Sequence, residues 1–167
     1  GVVDSYSNLD LKSLGFEIMF GTPWSFRNPS AIQSPGDNSP TIETVQTPDQ
    51  LLEFDRIAAI GFDQPDADQV YSLPLLNGPR YRLLFIRQNN KIVAGVQSLT
   101  NDESIGIYTL LTLPDHRHQG FANALVRAAL SHSPELPATT NPSDDSMHLF
   151  NNCGFETIGA RRVWIRR

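Results

Sequence analysis

Apolar and polar positions from residue 42 onward alternate between two periods, and the alternation sets out an ordered series of strands and helices. Ile42-Glu43-Thr44-Val45 reads as a short strand. Thr47-Pro48-Asp49-Gln50 then starts a helix: Thr47 is the N-cap, Pro48 takes the first helical position where no N–H is needed, and Gln50 closes a capping box. Leu51, Leu52, Phe54, Ile57, Ala58 and Ile60 recur at helical spacing behind it, and Gly61 can end the helix. Tyr81 to Arg87 and Lys91 to Leu99 are strands joined by the tight turn Gln88-Asn89-Asn90, which predicts an antiparallel hairpin. Ile105 to Leu113 is apolar on both faces, as a buried interior strand would be, and Pro114 stops it. After a polar turn over Asp115 to Ala122, Ala122, Leu125, Val126, Ala129 and Leu130 form a helical stripe that runs to about His132. A short strand around Pro137 to Asn141, a helix opened by Ser143 as capping residue with Asp144 and Asp145 in its first turn, and a last strand over Glu156 to Arg166 complete the series.

Residues 1–41 have a different texture, rich in Ser, Asn and Pro with one compact apolar patch, Phe16-Glu17-Ile18-Met19-Phe20, and two isolated aromatics, Trp24 and Phe26. A linker would lack such large side chains, so the patch predicts a short strand at about 16–20 within an N-terminal arm. Three roles stay open for the arm: covering a sheet edge, joining a homodimer, or walling a substrate pocket. Ser34-Pro35-Gly36-Asp37-Asn38-Ser39-Pro40 is the best boundary available, which divides the chain into an arm, 1–41, and a domain, 42–167.

Composition narrows the classes of function. The length of 167 residues suits one substantial core, and a net charge of −5 argues against a general nucleic-acid binder and mildly for a cationic partner such as a protonated amine. The single cysteine, Cys153, allows no intrachain disulfide. Neither a run of about 20 apolar residues nor an opening basic-then-apolar segment is seen, so no membrane association is expected and the cytoplasm is the expected compartment. Gly1 is not an initiator residue and is read as replacing or preceding the native start. His116 and His118, two apart in a loop with no third ligand in view, do not make a metal site, and no metal is expected.

The chemistry concentrates where the interior strand feeds the helix. First-turn N–H groups have no intrahelical partner and carry partial positive charge, so this junction is a natural seat for phosphate. Gly120 and Ala122 leave the peptide edges bare, and Arg117 adds a cation. Neither the Lys-Ser/Thr of a Walker loop nor a G-x-G-x-x-G fingerprint is present. Arg117-x-x-Gly120-x-Ala122, following Leu111-Thr112-Leu113-Pro114, resembles the acyl-CoA-binding motif R/Q-x-x-G-x-G/A of the GNAT superfamily of N-acetyltransferases. Leu149-Phe150-Asn151-Asn152-Cys153-Gly154-Phe155 is similar to that family's second motif, L-Y-x-x-x-G-F, and the separation between the two fits.

The resemblance implies an α/β (α+β) GNAT fold, a mixed, mostly antiparallel sheet flanked by helices. It implies acetyl-CoA as cosubstrate and a neutral primary amine, of a small molecule or a peptide, that attacks the thioester directly in a ternary complex. The pantetheine arm would pair with main chain from Leu111 to Leu113, where an N–H would polarise the thioester oxygen. The diphosphate would take N–H groups of His118, Gln119, Gly120, Phe121, Ala122 and Asn123 beside Arg117. Asn141 is expected to meet the arm, with Ser143 as a further candidate, and Phe150 is grouped with the cofactor contacts. The stretch from Gln64-Pro65-Asp66-Ala67-Asp68 to Gly78-Pro79 would shape acceptor choice.

This chain departs from the family in its proton-transfer groups. Phe150 stands where the family often has the tyrosine that protonates the leaving thiolate, and a phenyl ring has no proton to give. Tyr108, on the interior strand, is the substitute candidate. Where the family frequently has a glutamate in that strand, this chain has no acid; Glu103, beside Asp102 in the preceding turn, is the candidate base. These departures keep open the alternative of a CoA-binding sensor or interaction module without turnover.

Overall fold

The computed structural model of the protein describes residues 1–32, 39–64, 71, 72, 74, 75 and 78–166. Most of the boundary expected at 34–40, and residues 65–68 of the acceptor segment, lie outside the described residues. The fold is α/β, a mostly antiparallel sheet flanked by helices, with strands β1 (Val2–Asp4), β2 (Glu17–Arg27), β3 (Ile42–Thr44), β4 (Tyr81–Gln88), β5 (Lys91–Thr100), β6 (Ile105–Thr112), β7 (Ala138–Thr140) and β8 (Glu156–Ile165). Among the described residues three α-helices join them: α1 (Pro48–Gly61), α2 (Phe121–Ser131) and α3 (Asp144–Asn152). The chain forms two compact units, one of Pro29–Ala138 and one of Gly1–Asn28 with Thr139–Arg167.

In the first of these, β6, β5, β4 and β3 pair antiparallel in that order. The β4–β5 hairpin turns through Asn89 and Asn90, both at positive φ (48° and 62°), the conformation that two-residue hairpins favour and that Asn tolerates. Helix α1 starts as its sequence predicts: Thr47 Oγ1 accepts the Gln50 N–H at 3.2 Å while Gln50 Oε1 accepts the Thr47 N–H at 3.2 Å. Leu51, Phe54, Ile57 and Ala58 pack with Leu83, Phe85, Ile92 and Leu111 on one sheet face. Phe54 lies directly over Gly95, where an added Cβ would stand 2.4 Å from the ring. The residues that alternate with these, Leu84, Ile86, Val96, Ile105 and Ile107, are also buried and point to the opposite face, where α2 packs through Leu125, Val126, Ala129 and Leu130.

In the second unit, β8 pairs antiparallel with β1 on one side and β2 on the other. The strand expected at about 16–20 therefore runs on to Arg27, with register shifts between Ile18 and Phe20 and between Trp24 and Ser25. Gly21 and Pro23 break its local pattern, but the ladder to β8 carries through them. Trp164, 1% exposed, anchors the unit. Arg27 is buried at the end of α3, donating from Nε to the Cys153 carbonyl at 3.0 Å, where a cation suits the negative end of the helix. Ser143 stands at the N-cap of α3 without capping it: its hydroxyl lies 3.0 Å from Ser146 Oγ instead.

Candidate functional site

The loop between β6 and α2 is built around two left-handed residues. After Pro114–His116 closes a single tight turn, His118 has φ 61° and Gly120 has φ 78°, so the backbone reverses twice across Gln119. Gly120 is itself the N-cap of α2 and brings no side chain to the first-turn N–H groups, nor does that turn hold an acid. Nothing among the described residues stands within 4 Å of where a Gly120 Cβ would be. The N–H groups of residues 118–122 meet no acceptor among the described residues. Phe121, buried, pins the first turn from below. The result is a concavity of exposed donors at the positive end of a helix dipole, the arrangement that receives phosphate oxygens.

Side chains hold this loop in place. Arg117 donates from Nε to the Thr112 carbonyl at 3.3 Å, which ties the guanidinium to the end of β6, and no carboxylate pairs with it among the described residues. Gln88, at the end of β4, takes His116 Nδ1 on Oε1 at 2.8 Å and donates from Nε2 to Gln119 Oε1 at 3.4 Å. The sequence reading passed over Gln88 as a turn residue. Asn123 Oδ1 is engaged by Arg127 Nε at 2.7 Å, one helical turn on, so that side chain braces the helix.

Strand β6 corrects part of the expected backbone role. The Leu113 N–H donates to the Val93 carbonyl at 2.9 Å, and the Leu113 carbonyl accepts from the His116 N–H at 2.9 Å. Both Leu113 backbone groups are thus spent. Leu111 faces Gly95, in the same ladder phase as Leu113, and so directs its peptide groups toward β5; the alternate residue, Thr112, turns its N–H away from β5. The outward donor is therefore Thr112, between the two residues the sequence singled out.

Upstream, β6 bulges. Tyr108 faces Gln97 and Leu111 faces Gly95, which leaves Thr109 and Leu110 opposite Val96 alone. Thr109 sits at φ 46°, a conformation that a β-branched residue takes up only when its surroundings impose it, at a cost on the order of 1–3 kcal/mol. The imposing groups are visible. Tyr71 donates its hydroxyl to Thr109 Oγ1 at 2.9 Å and lies 3.2 Å from Gln97 Oε1, while Thr109 Oγ1 donates to Gln97 Oε1 at 3.0 Å. Burial pushes the Tyr71 phenol above the ordinary tyrosine range; the Thr109 bond opposes that shift and the nearby Asp55 carboxylate adds to it. The Asp55 carboxylate, on α1, accepts the Tyr71 N–H at 3.4 Å. The tilted ring of Tyr81 and the edge-on ring of Phe54 enclose Tyr71, with centroids 6.4 and 5.6 Å away.

The remaining candidates fall in different places. The Tyr108 ring folds back over Gly106, where an added Cβ would meet it at 2.4 Å, and its hydroxyl meets no partner among the described residues. Glu103 is exposed in a turn organised by Asn101, whose Oδ1 accepts the Glu103 N–H at 2.8 Å. It lies beyond the start of β6, roughly 25 Å from the phosphate-type loop at the other end. In the second unit, Asn141 donates from Nδ2 to the Pro23 carbonyl at 3.3 Å and keeps Oδ1 buried with no partner among the described residues. Phe150 is 2% exposed and packs edge-on against Phe155 at 5.3 Å, so its described part is that of a core ring rather than a polar contact. Sequence reasoning missed the Tyr71, Gln97 and Thr109 cluster. Gln97 was its one visible trace, a large polar side chain directly after the apolar run Ile92–Val96 of β5.

The sequence model of the acetyltransferase (GNAT) family matches residues 49–155, well over half of the chain. The chain belongs to the GNAT family of acetyltransferases. Among solved structures, this GNAT chain is similar to a GCN5-related N-acetyltransferase from Kribbella flavida, with a TM-score of 0.68 at 19% identity over 91% of this chain and 60% of that one. The chain thus spans less than two thirds of the Kribbella protein's length. It is also similar to Escherichia coli ElaA, with a TM-score of 0.61 at 15% identity over 76% of this chain and 99% of that one. An aminoglycoside acetyltransferase from an uncultured soil metagenomic sample, solved with trehalose, gives 0.59 at 19% identity over 71% and 88% of the two chains. No curated protein matches. At these identities the likeness is one of fold. Among the described residues, no helix of this GNAT chain is long and apolar enough to cross a membrane.

Proposed function

We propose that the protein binds acetyl-CoA and transfers its acetyl group to a primary amine of a small molecule or a peptide. The observation that carries this reading is the loop at Gln119, where two left-handed residues, an uncapped helix N-terminus and Arg117, which meets no carboxylate among the described residues, present donors and positive charge to the same open space. A diphosphate has the charge and the acceptor oxygens this arrangement lacks, and family membership points to CoA as its carrier.

Each residue then has a task. N–H groups of residues 118–122 hold the diphosphate, Arg117 neutralises it, and the Thr112 N–H takes a carbonyl of the pantetheine arm as an added strand would. The amine attacks the thioester carbon as a neutral nucleophile; the C–S bond breaks, CoA leaves as thiolate, and the amine loses one proton. Tyr108, whose hydroxyl meets no partner among the described residues, is the protein's candidate donor to that thiolate, and water is the other source. Glu103, in a solvated turn, takes the amine proton only through intervening water.

A thiol-release assay with acetyl-CoA against polyamines, amino acids, aminoglycosides and peptide N-termini tests the reading. Release with at least one amine class supports it. CoA binding without release across the panel replaces it with the sensor or interaction module, to which the core position of Phe150 and the lack of an acid in β6 give some weight.

A further inference from the structure

The bulge in β6 is held from outside the strand. Thr109 is one of two residues that oppose Val96, and its hydroxyl is caught between two groups from elsewhere: Tyr71, in the segment between α1 and β4, and Gln97 of β5. Tyr71 is 5% exposed and wedged between Phe54 and Tyr81, and its main-chain N–H is taken by Asp55, so its hydroxyl has little freedom to leave Thr109. Thr109 lies three residues upstream of Thr112, roughly 10 Å back along the strand from the phosphate-binding loop. An arm laid outward from that loop along β6 brings its far end to the bulge.

We propose that Tyr71 is a positioning residue for acyl transfer: through its hydroxyl bonds to Thr109 and Gln97 it holds the β6 bulge that presents the strand's backbone to the acyl group. The proposal rests on the acetyl-CoA reading above and adds to it a residue that makes no contact with the phosphates. It separates two functions along one strand, with cosubstrate affinity set by Arg117 and the loop, and turnover dependent on the geometry at Thr109. Tyr71 also lies within the stretch 64–79 that was expected to shape acceptor choice.

Tyr71→Phe keeps the ring contacts with Phe54 and Tyr81 and removes only the hydroxyl. The loss of such a bond is expected to lower kcat by about fivefold to tenfold, while calorimetric CoA affinity stays within about twofold, because the loop is untouched. A second substitution distinguishes positioning from general weakening. Glycine adopts positive φ at no steric cost, so adding Thr109→Gly to Tyr71→Phe lets the bulge persist without the hydroxyl and raises kcat above that of Tyr71→Phe alone. A residue that merely stabilised the fold would show no such rescue. The amide signals of Thr109 and Leu110 in a nitrogen–proton correlation spectrum are expected to move in Tyr71→Phe. If Tyr71→Phe turns over like the wild type, if its Thr109 and Leu110 amides stay where they were, or if glycine gives no rescue, the inference is wrong. A wild-type protein that binds CoA but releases no thiol with any amine of the panel overturns the acyl-transfer reading itself, and the role of Tyr71 with it.

Discussion

Gly120 carries the sharpest consequence of the account. Its φ of 78° and the empty space at its Cβ position show that a side chain there meets strain from the backbone but no clash. Asp tolerates left-handed backbone and is a good N-cap, so Gly120→Asp is expected to leave the melting temperature within a few degrees of wild type. The same carboxylate occupies the donors and repels phosphate, so CoA affinity should fall at least tenfold by calorimetry; unchanged affinity would contradict the loop assignment. Arg117→Ala should weaken CoA binding in a salt-dependent way, since the guanidinium is exposed and acts through charge as well as hydrogen bonds. The loop was legible in the sequence because glycine, arginine and a helix start lie within a few residues of one another. Thr109 was not: a β-branched residue in an apolar run is the least suggestive place for positive φ, and the groups that force it there lie 12 and 38 residues away.

Among the elements, those set by local chemistry came out as the sequence predicts. The Thr47–Gln50 capping box and the Asn89-Asn90 hairpin depend on side chains within four residues of their own backbone. Elements set by distant pairing did not. The length of β2 depends on β8, more than a hundred residues on, and no local pattern carries that partner; β1, three residues long, owes its identity to β8 in the same way. Apolar content predicted that β6 is buried throughout, yet residues from Tyr108 to Leu110 are half-exposed where the bulge opens the strand. The contact of α1 with β5 is testable. Gly95→Ala drives a methyl to within 2.4 Å of Phe54, a fully buried ring, and should destabilise the fold by about 1–3 kcal/mol in urea denaturation. Phe54→Leu in the same chain should recover part of that loss. A Gly95→Ala protein as stable as wild type would mean that α1 does not sit where it is described.

Over the whole molecule, a buried phenol, Tyr71, and a half-buried one, Tyr81, shape the alkaline limit of stability. Burial raises both Tyr71 and Tyr81 above the ordinary tyrosine pKa, and for Tyr81 the neighbouring Tyr71 and Asp55 raise it further. A group whose folded pKa is raised gives a contribution that is complete below its unfolded pKa, about 10, and is lost as pH rises from there through the folded value. Unfolding free energy should therefore fall with pH above about 10, and fall less steeply in Tyr81→Phe; equal slopes would contradict the burial described for that ring. The central claim, that the loop at Gln119 grips a diphosphate, has a direct test in calorimetric titration of the same protein with CoA and with pantetheine, which keeps the arm and lacks the nucleotide diphosphate. CoA is expected to bind at least a hundredfold more tightly, with most of that difference gone in Gly120→Asp; equal affinities for the two ligands would contradict it.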